Sequence, residues 1–145
     1  MTIIVVEQRH LIPAKVMWRS ILSYTDLKAV LGTQPGLDGL PDRDAIVGDH
    51  FVLPLKVMGI PLGQWSIEMI TVDPDTRVVA SREHGGPVKR WNHTLTITPD
   101  GDHACVYRDE LDLDAGLLTP IFTGYAKNLY TARQEARGRL LMKRS

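Results

Sequence analysis

Hydrophobic residues follow two different spacings along the chain, and each spacing predicts a different secondary structure. Residues 2–9 form a short β-branched run that is typical of a strand. An amphipathic helix is predicted next, because four apolar residues recur at intervals near 3.6: Val16, Met17, Ile21 and Tyr24. Residues 26–31 predict a second, shorter helix, with Thr25 as its N-cap and Gly32 at its end.

The middle of the chain changes to a period of two, which predicts strands with one interior face. The inward positions of two such strands are Phe51, Leu53, Leu55 and Val57, followed by Trp65, Ile67 and Met69. Residues 76–84 predict a further strand whose facing stays open. Ser81, Glu83 and His84 therefore lie either in the interior or outside it.

Residues 88–98 and 103–113 predict a β-hairpin, because both segments alternate and a turn sequence separates them. The inward positions are Trp91, His93, Leu95 and Ile97 on the first strand and Cys105, Tyr107, Asp109, Leu111 and Leu113 on the second. The sequence Pro99-Asp100-Gly101 fits a three-residue loop. That loop predicts the register in which Leu95 faces Cys105, His93 faces Tyr107 and Trp91 faces Asp109. In this register His93 and Asp109 are diagonal neighbours.

The last part of the chain predicts a long helix with Thr119 as N-cap and Pro120 in its first turn. Its apolar face is predicted to hold Ile121, Phe122, Tyr125, Leu129, Ala132, Ala136 and Leu140. Its solvated face is predicted to hold Lys127, Gln134, Arg137 and Lys143, and its end carries a basic cluster of Arg133, Arg137, Arg139, Lys143 and Arg144. About 22 helical residues span roughly 33 Å, which is enough to cross a sheet.

The order of elements is β-α-α-β-β-β-β-β-α, and it predicts an α+β fold. A curved antiparallel sheet of about six strands must cover its apolar face, and the C-terminal helix is the element long enough to do so. The 145 residues fit one domain, 1–145. No leader or membrane segment is evident, so a cytoplasmic location is expected.

Composition and charge exclude several classes of function. The formal net charge is zero, which argues against a nucleic-acid binder that works by bulk charge. The single cysteine, Cys105, excludes a cysteine-cluster metal site, and the five histidines show no metal-binding spacing. No phosphate-binding glycine motif occurs. We therefore expect no metal and no cofactor.

The second half of the chain resembles a known superfamily. The stretch HGGPVKRWNHTLTITPDGDHACVYRDELDLDAG is similar to a Gly-Pro-x-x-x-Trp-x-His segment followed by a hairpin, carried here by Gly86, Pro87, Trp91, His93, Asp109 and Glu110. The segment IPAKVMWRSILSYTDLKAVLG is similar to the opening helices of the same group. The group is the START-like helix-grip (SRPBCC) superfamily, in its polyketide cyclase/dehydrase-like branch. The resemblance implies an internal cavity that holds a small apolar or aromatic molecule between the sheet and the last helix.

The residues expected to line that cavity combine bulky apolar side chains with a few polar groups, as ligand sites do. They are Trp65, Ile67, Met69, Trp91, His93, Leu95, Tyr107, Asp109, Phe122, Tyr125 and Leu129. His93 and Asp109 have two interpretations, which stay open. They either satisfy each other and hold the sheet in register, or they serve as a ligand anchor or acid–base pair.

Three functions follow from this picture. The first is binding of a lipid-like, aromatic or polyketide-like molecule in the cavity. The second is an enzyme of the polyketide cyclase/aromatase type, in which His93, Tyr107 or Asp109 handles protons. The third is a closed-core domain without ligand, which associates as a homodimer through an exposed sheet edge.

Overall fold

The computed structural model describes residues 2–32, 39–57 and 59–145. Six strands form one sheet: β1 (Thr2–His10), β2 (His50–Val57), β3 (Ile60–Asp73), β4 (Val78–Gly85), β5 (Val88–Pro99) and β6 (Cys105–Asp114). Within the same ranges, three α-helices accompany them: α1 (Ala14–Leu22), α2 (Tyr24–Leu31) and α3 (Thr119–Arg144). A short 3₁₀ turn at Gly116–Leu118 precedes α3.

The sheet is antiparallel and curved, and its strands follow the order β1-β6-β5-β4-β3-β2. The last strand, β6, pairs with the first strand, β1, so the two are neighbours in the sheet. Helix α3 packs on one face of the sheet and contributes Phe122, Ala126 and Tyr130 to its core. The predicted α+β class, with a six-stranded sheet covered by the C-terminal helix, is confirmed.

Two short helices lead from β1 to the rest of the sheet. Pro13 stands immediately before α1, as its fixed φ favours. Ser23, and not the predicted Thr25, caps α2, because its hydroxyl accepts the backbone N–H of Asp26 at 3.1 Å. Gly32 ends the helix at a φ of 73°, as predicted. The glycine and proline residues between Gly32 and Gly48 also predict a loop in this part of the chain, and residues 33–38 of it lie outside the described residues.

The hairpin of β5 and β6 has the predicted faces but a different register. Leu95 pairs with Asp109 rather than with Cys105, which is a shift of four residues. Pro99 pairs with Cys105, and the connection is a longer loop closed by a hydrogen bond from Asp100 N to Ala104 O at 2.9 Å. Because the shift is an even number, every inward side chain stays inward.

The buried face of α3 differs from the prediction. Gln134 is 0% exposed and Arg137 is 2% exposed, whereas Ile121 and Ala132 face solvent. The buried positions are Phe122, Ala126, Tyr130, Gln134, Arg137, Gly138 and Leu141. Hydrophobic periodicity missed this face because two of its members are polar and are stabilised by specific hydrogen bonds rather than by apolar contacts.

The basic end of α3 is not the uniformly solvated face that the sequence predicts. Arg137 Nη1 donates to both the carbonyl oxygen and the hydroxyl of Ser20, each at 2.9 Å. Arg144 donates two hydrogen bonds to the Asp26 carboxylate, each at 3.0 Å. These contacts fasten the end of α3 to α1 and α2, so they position the helix over the sheet.

A buried carboxylate, Asp49, ties α2 to the segment before β2. It accepts hydrogen bonds from the guanidinium of Arg43 at 2.8 Å and from the hydroxyl of Tyr24 at 2.6 Å. The Arg43 contact is the largest cause that lowers the pKa of Asp49, which falls to about 2 in spite of burial.

This lowered pKa predicts a pH-dependent contribution to stability. Since the folded pKa lies below the usual 3.8, the contribution is present above pH 4 and is lost as the pH falls toward 2. Asp49→Asn is expected to lower the free energy of unfolding by about 2 kcal/mol at pH 7, and by progressively less at lower pH. Urea unfolding between pH 7 and pH 3 measures this, with the exposed Asp75→Asn as control. A deficit that stays constant with pH would contradict the assignment.

Candidate functional site

A cavity of about 330 Å³ lies between α3 and the half of the sheet that contains β2 and β3. Six of the residues predicted from the sequence line it: Trp65, Ile67, Trp91, Phe122, Tyr125 and Leu129. The sequence prediction did not include several others, among them Leu31, Leu53, Leu55, Val57, Lys56 and Arg133. Five of the missed lining residues, 53–57, belong to β2, which is an edge strand of the sheet.

Aromatic side chains form one wall of the cavity. Trp65 and Trp91 meet edge to face, with ring centroids 5.4 Å apart and planes at 88°. The Trp91 indole N–H donates to the hydroxyl of Tyr130 at 2.8 Å, and the Trp65 indole N–H donates to Glu83 at 2.8 Å. Both indoles are therefore held in fixed orientations by a hydrogen bond at one end.

A buried polar network lies beside this wall. His93 Nε2 is 2.5 Å from Asp109 Oδ1, and the other carboxylate oxygen accepts from Gln134 Nε2 at 2.8 Å. A carboxylate oxygen accepts, so Nε2 of His93 carries the proton of this bond. Gln134 also donates to the backbone carbonyl of Val6 at 2.9 Å. The network joins β1, β5, β6 and α3 in one chain of hydrogen bonds.

The structure shows that His93 and Asp109 are shielded from the cavity. The ring of Tyr130 stacks on the His93 imidazole, with centroids 4.6 Å apart and planes at 23°. Asp109 is 1% exposed, and neither member of the pair lines the cavity. The two side chains are diagonal neighbours, as expected, although the register that brings them together differs from the predicted one.

Comparisons with known proteins relate this architecture to solved structures. No protein-family model and no curated protein matches the sequence. Norcoclaurine synthase from Thalictrum flavum, solved in complex with dopamine and hydroxybenzaldehyde, superimposes with a TM-score of 0.72 at 18% identity, over 99% of this chain and 88% of that one. A START superfamily protein from Mycobacterium smegmatis superimposes with a TM-score of 0.73 at 11% sequence identity, over 99% of both chains. A protein from Mesorhizobium loti superimposes with a TM-score of 0.74 at 20% sequence identity, over 99% of this chain and 98% of that one.

The chain has a START-like helix-grip fold. The residues that carry the sequence resemblance lie on β5, on β6 and in the turn before β5. Gly86 and Pro87 form the turn between β4 and β5, Trp91 and His93 follow on β5, and Asp109 lies on β6. Trp91 belongs to the same core cluster as Phe122, Ala126 and Tyr130 of α3, as the helix-grip arrangement requires.

Three other residues that the sequence assigned to the cavity lie elsewhere in the helix-grip interior. Leu95 and Tyr107 belong to a second core cluster, which packs against Met17 and Trp18 of α1. Met69 packs between this cluster and the residues around Tyr24. Burial is the main cause that raises the pKa of Tyr107 to about 12, so its hydroxyl stays protonated at neutral pH.

Strand β4 settles the facing that the sequence left open. Ser81 and Glu83 point inward, opposite His93 and Trp91 respectively, whereas His84 is exposed. The Ser81 hydroxyl donates to the Glu83 carboxylate at 2.6 Å. Glu83 is thus a polar residue of the interior. The sequence did not reveal this, because β4 has no clear alternation of apolar and polar residues that would fix its inward face.

A larger groove of about 830 Å³ lies apart from this interior, between α1, the start of α2 and the end of α3. Its lining includes Lys15, Arg19 and Trp18, together with the ion pair of Asp26 and Arg144. Because this groove is an open depression among helix ends, we place the candidate site in the cavity, where aromatic and polar groups converge.

Two further features bear on the class of site. Across residues 2–32, 39–57 and 59–145, no three or more His, Cys, Asp or Glu side chains are grouped so as to hold a metal ion. Within the same ranges, no helix is both long enough and apolar enough to span a membrane.

Proposed function

We propose that the chain binds one small hydrophobic or aromatic molecule in the cavity between α3 and the sheet. The observation that carries this proposal is the cavity of about 330 Å³ itself, lined by Trp65, Trp91, Phe122 and Tyr125. Protein sites for small molecules are apolar clefts of roughly 300–1,000 Å³ with a few placed polar groups. The cavity also supports binding over the alternative of a closed core that serves association alone.

The aromatic wall supports a flat ligand. Trp65 and Trp91 are fixed by hydrogen bonds to Glu83 and Tyr130, so a planar molecule would meet surfaces that are already ordered. Preorganised contact surfaces reduce the entropy cost of binding. Norcoclaurine synthase, which shares the fold, was solved with dopamine and hydroxybenzaldehyde, and this is in keeping with aromatic ligands.

The placement of His93 and Asp109 supports binding over proton transfer. A general acid or base must come within hydrogen-bond reach of its substrate, but Tyr130 covers the His93 ring on the side of α3. Tyr107 lies in the other core cluster with a raised pKa. We therefore propose that the pair holds β5, β6 and α3 in place, and that cyclase or aromatase chemistry is the weaker candidate.

A fluorescent probe tests the binding proposal. N-phenyl-1-naphthylamine is neutral and apolar, and it brightens when it enters an apolar site. We expect saturable binding to the wild-type protein with a stoichiometry of one. Leu129→Trp fills part of the cavity with a larger ring and is expected to weaken the probe's affinity about tenfold or more, since overlap with a bulky side chain excludes the ligand.

The matched control is Ala132→Trp, which adds the same side chain to the exposed face of α3. This variant is expected to bind the probe like the wild type. Circular dichroism melts establish that both variants are folded. Equal loss of affinity in both variants, or binding that Leu129→Trp leaves unchanged, would place the probe outside the cavity and overturn the proposal.

A further inference from the structure

Arg133 presents unused hydrogen-bond donors at the cavity. Its side chain lines the cavity, and its Nε is buried without a hydrogen-bond partner among the described residues. The guanidinium lies over the ring of Tyr130, 5.1 Å from the centroid. A guanidinium carries five N–H donors and stays charged in proteins, so a buried nitrogen without an acceptor is costly.

The two carboxylates that interact electrostatically with Arg133 are already bound by other groups. Both oxygens of Glu83 accept hydrogen bonds, one from Trp65 and one from Ser81. Both oxygens of Asp109 accept as well, from His93 and Gln134. Within the described part of the chain, no ion pair joins Arg133 to an acidic residue.

The charges that line the cavity are of one sign. Arg133 and Lys56 are the two ionised side chains among the described lining residues, and both are cations. Burial lowers the pKa of the Arg133 guanidinium, but the surrounding tyrosine and carboxylate groups raise it by more, so the net shift is upward. The cavity thus combines an apolar aromatic wall with a cationic group that has free donors.

The other arginines of α3 either donate hydrogen bonds to neighbouring groups or are exposed to solvent. Arg137 donates to the carbonyl and hydroxyl of Ser20, and Arg144 pairs with Asp26 in a two-bond arrangement. Arg139 is exposed to solvent. The Nε of Arg137 is also buried without a partner, but its Nη1 is bound to Ser20. Arg133 differs because it lines the cavity and no hydrogen bond joins its guanidinium to the described residues.

We infer that Arg133 binds the carboxylate of the ligand, so that the cavity takes an apolar or aromatic molecule bearing one carboxylic acid group. The inference rests on the proposed function. Nε and one Nη of a guanidinium form a side-by-side pair of donors that matches the two oxygens of a carboxylate. Such a ligand would satisfy the buried Nε, while its apolar body would contact the tryptophans.

The test uses a matched pair of probes in calorimetric titrations, 2-naphthoate and its neutral methyl ester. The wild-type protein is expected to bind 2-naphthoate at least about tenfold more tightly than the ester. Arg133→Met, which keeps most of the side-chain length, is expected to weaken naphthoate binding about ten- to a hundredfold and to weaken binding of the ester far less, so that the preference for the carboxylate is lost. Arg139→Met, on the exposed face, is the control and is expected to leave the affinity for 2-naphthoate, its ester and N-phenyl-1-naphthylamine unchanged.

The outcomes separate the two proposals. If Arg133→Met binds naphthoate as tightly as the wild type does, while both proteins still bind N-phenyl-1-naphthylamine, the carboxylate site is wrong and the cavity stands. If the wild type binds none of the three probes at millimolar concentration, the binding function fails and the carboxylate site fails with it. An equal loss in Arg133→Met and Arg139→Met would show a long-range charge effect and would also overturn the assignment.

Discussion

Trp91→Ala is expected to lower the free energy of unfolding by about 3–5 kcal/mol, the usual range for deleting a large aromatic side chain from a core. Trp91 is 4% exposed and packs edge to face against Trp65. Its indole N–H also donates to Tyr130, so the substitution removes the packing and the hydrogen bond together. Urea unfolding followed by far-ultraviolet circular dichroism measures the loss without relying on tryptophan emission.

Trp91→Phe separates the two contributions. It keeps an aromatic ring but removes the indole N–H, and it is expected to cost roughly 1–2 kcal/mol, from the lost hydrogen bond and the smaller ring. If Trp91→Ala costs less than about 1 kcal/mol, the ring does not help to hold α3 against the sheet. The packing described for this wall of the cavity would then be incorrect.

Asp109→Asn is expected to destabilise the protein by about 2–4 kcal/mol. The carboxylate accepts from His93 on one oxygen and from Gln134 on the other. An asparagine side chain has one carbonyl oxygen and one NH₂ group, so it can accept from Gln134 only if its NH₂ faces His93 Nε2. His93 must then move its proton to Nδ1, and both bonds lose the charge of the carboxylate acceptor. Gln134 cannot rotate its amide to compensate without losing its bond to Val6.

The control for this variant is Asp112→Asn on the same strand. Asp112 lies on the outer face and pairs with Arg90, with both side chains partly exposed. Ion pairs of this kind contribute about 0–1 kcal/mol, so the control is expected to stay within that range. Chemical denaturation at pH 7 compares the two. Equal effects would contradict a special role for the buried network.

The sequence predicted the class of fold and the faces of β5 and β6, but it did not predict how those strands pair. Alternation assigns Trp91 and Leu95 to the interior in any register that differs by an even number of residues. The choice among such registers depends on the loop. Pro99-Asp100-Gly101 is compatible with a short turn, and the longer loop that closes on Ala104 leaves no distinct sequence signal.

In the site, hydrophobic periodicity predicts the apolar residues, but it does not predict the polar residues whose burial depends on distant hydrogen-bond partners. Trp65, Trp91 and Tyr125 were identifiable as interior aromatics from their periodicity. Gln134 and Arg133 were not, because a polar residue on a helix is ordinarily solvated. Their burial depends on acceptors or space supplied by distant segments, such as Asp109 on β6 and the cavity beside β2. The pattern of hydrophobic residues along the chain does not predict such long-range contacts.

The three tryptophans report where a ligand binds. Trp65 and Trp91 line the cavity, whereas Trp18 lines the separate groove between α1 and the end of α3. In nitrogen-15 NMR spectra, saturation with N-phenyl-1-naphthylamine is expected to shift the indole N–H signals of Trp65 and Trp91 and to leave Trp18 in place. A shift confined to Trp18, or no shift at Trp65 and Trp91, would contradict binding between α3 and the sheet.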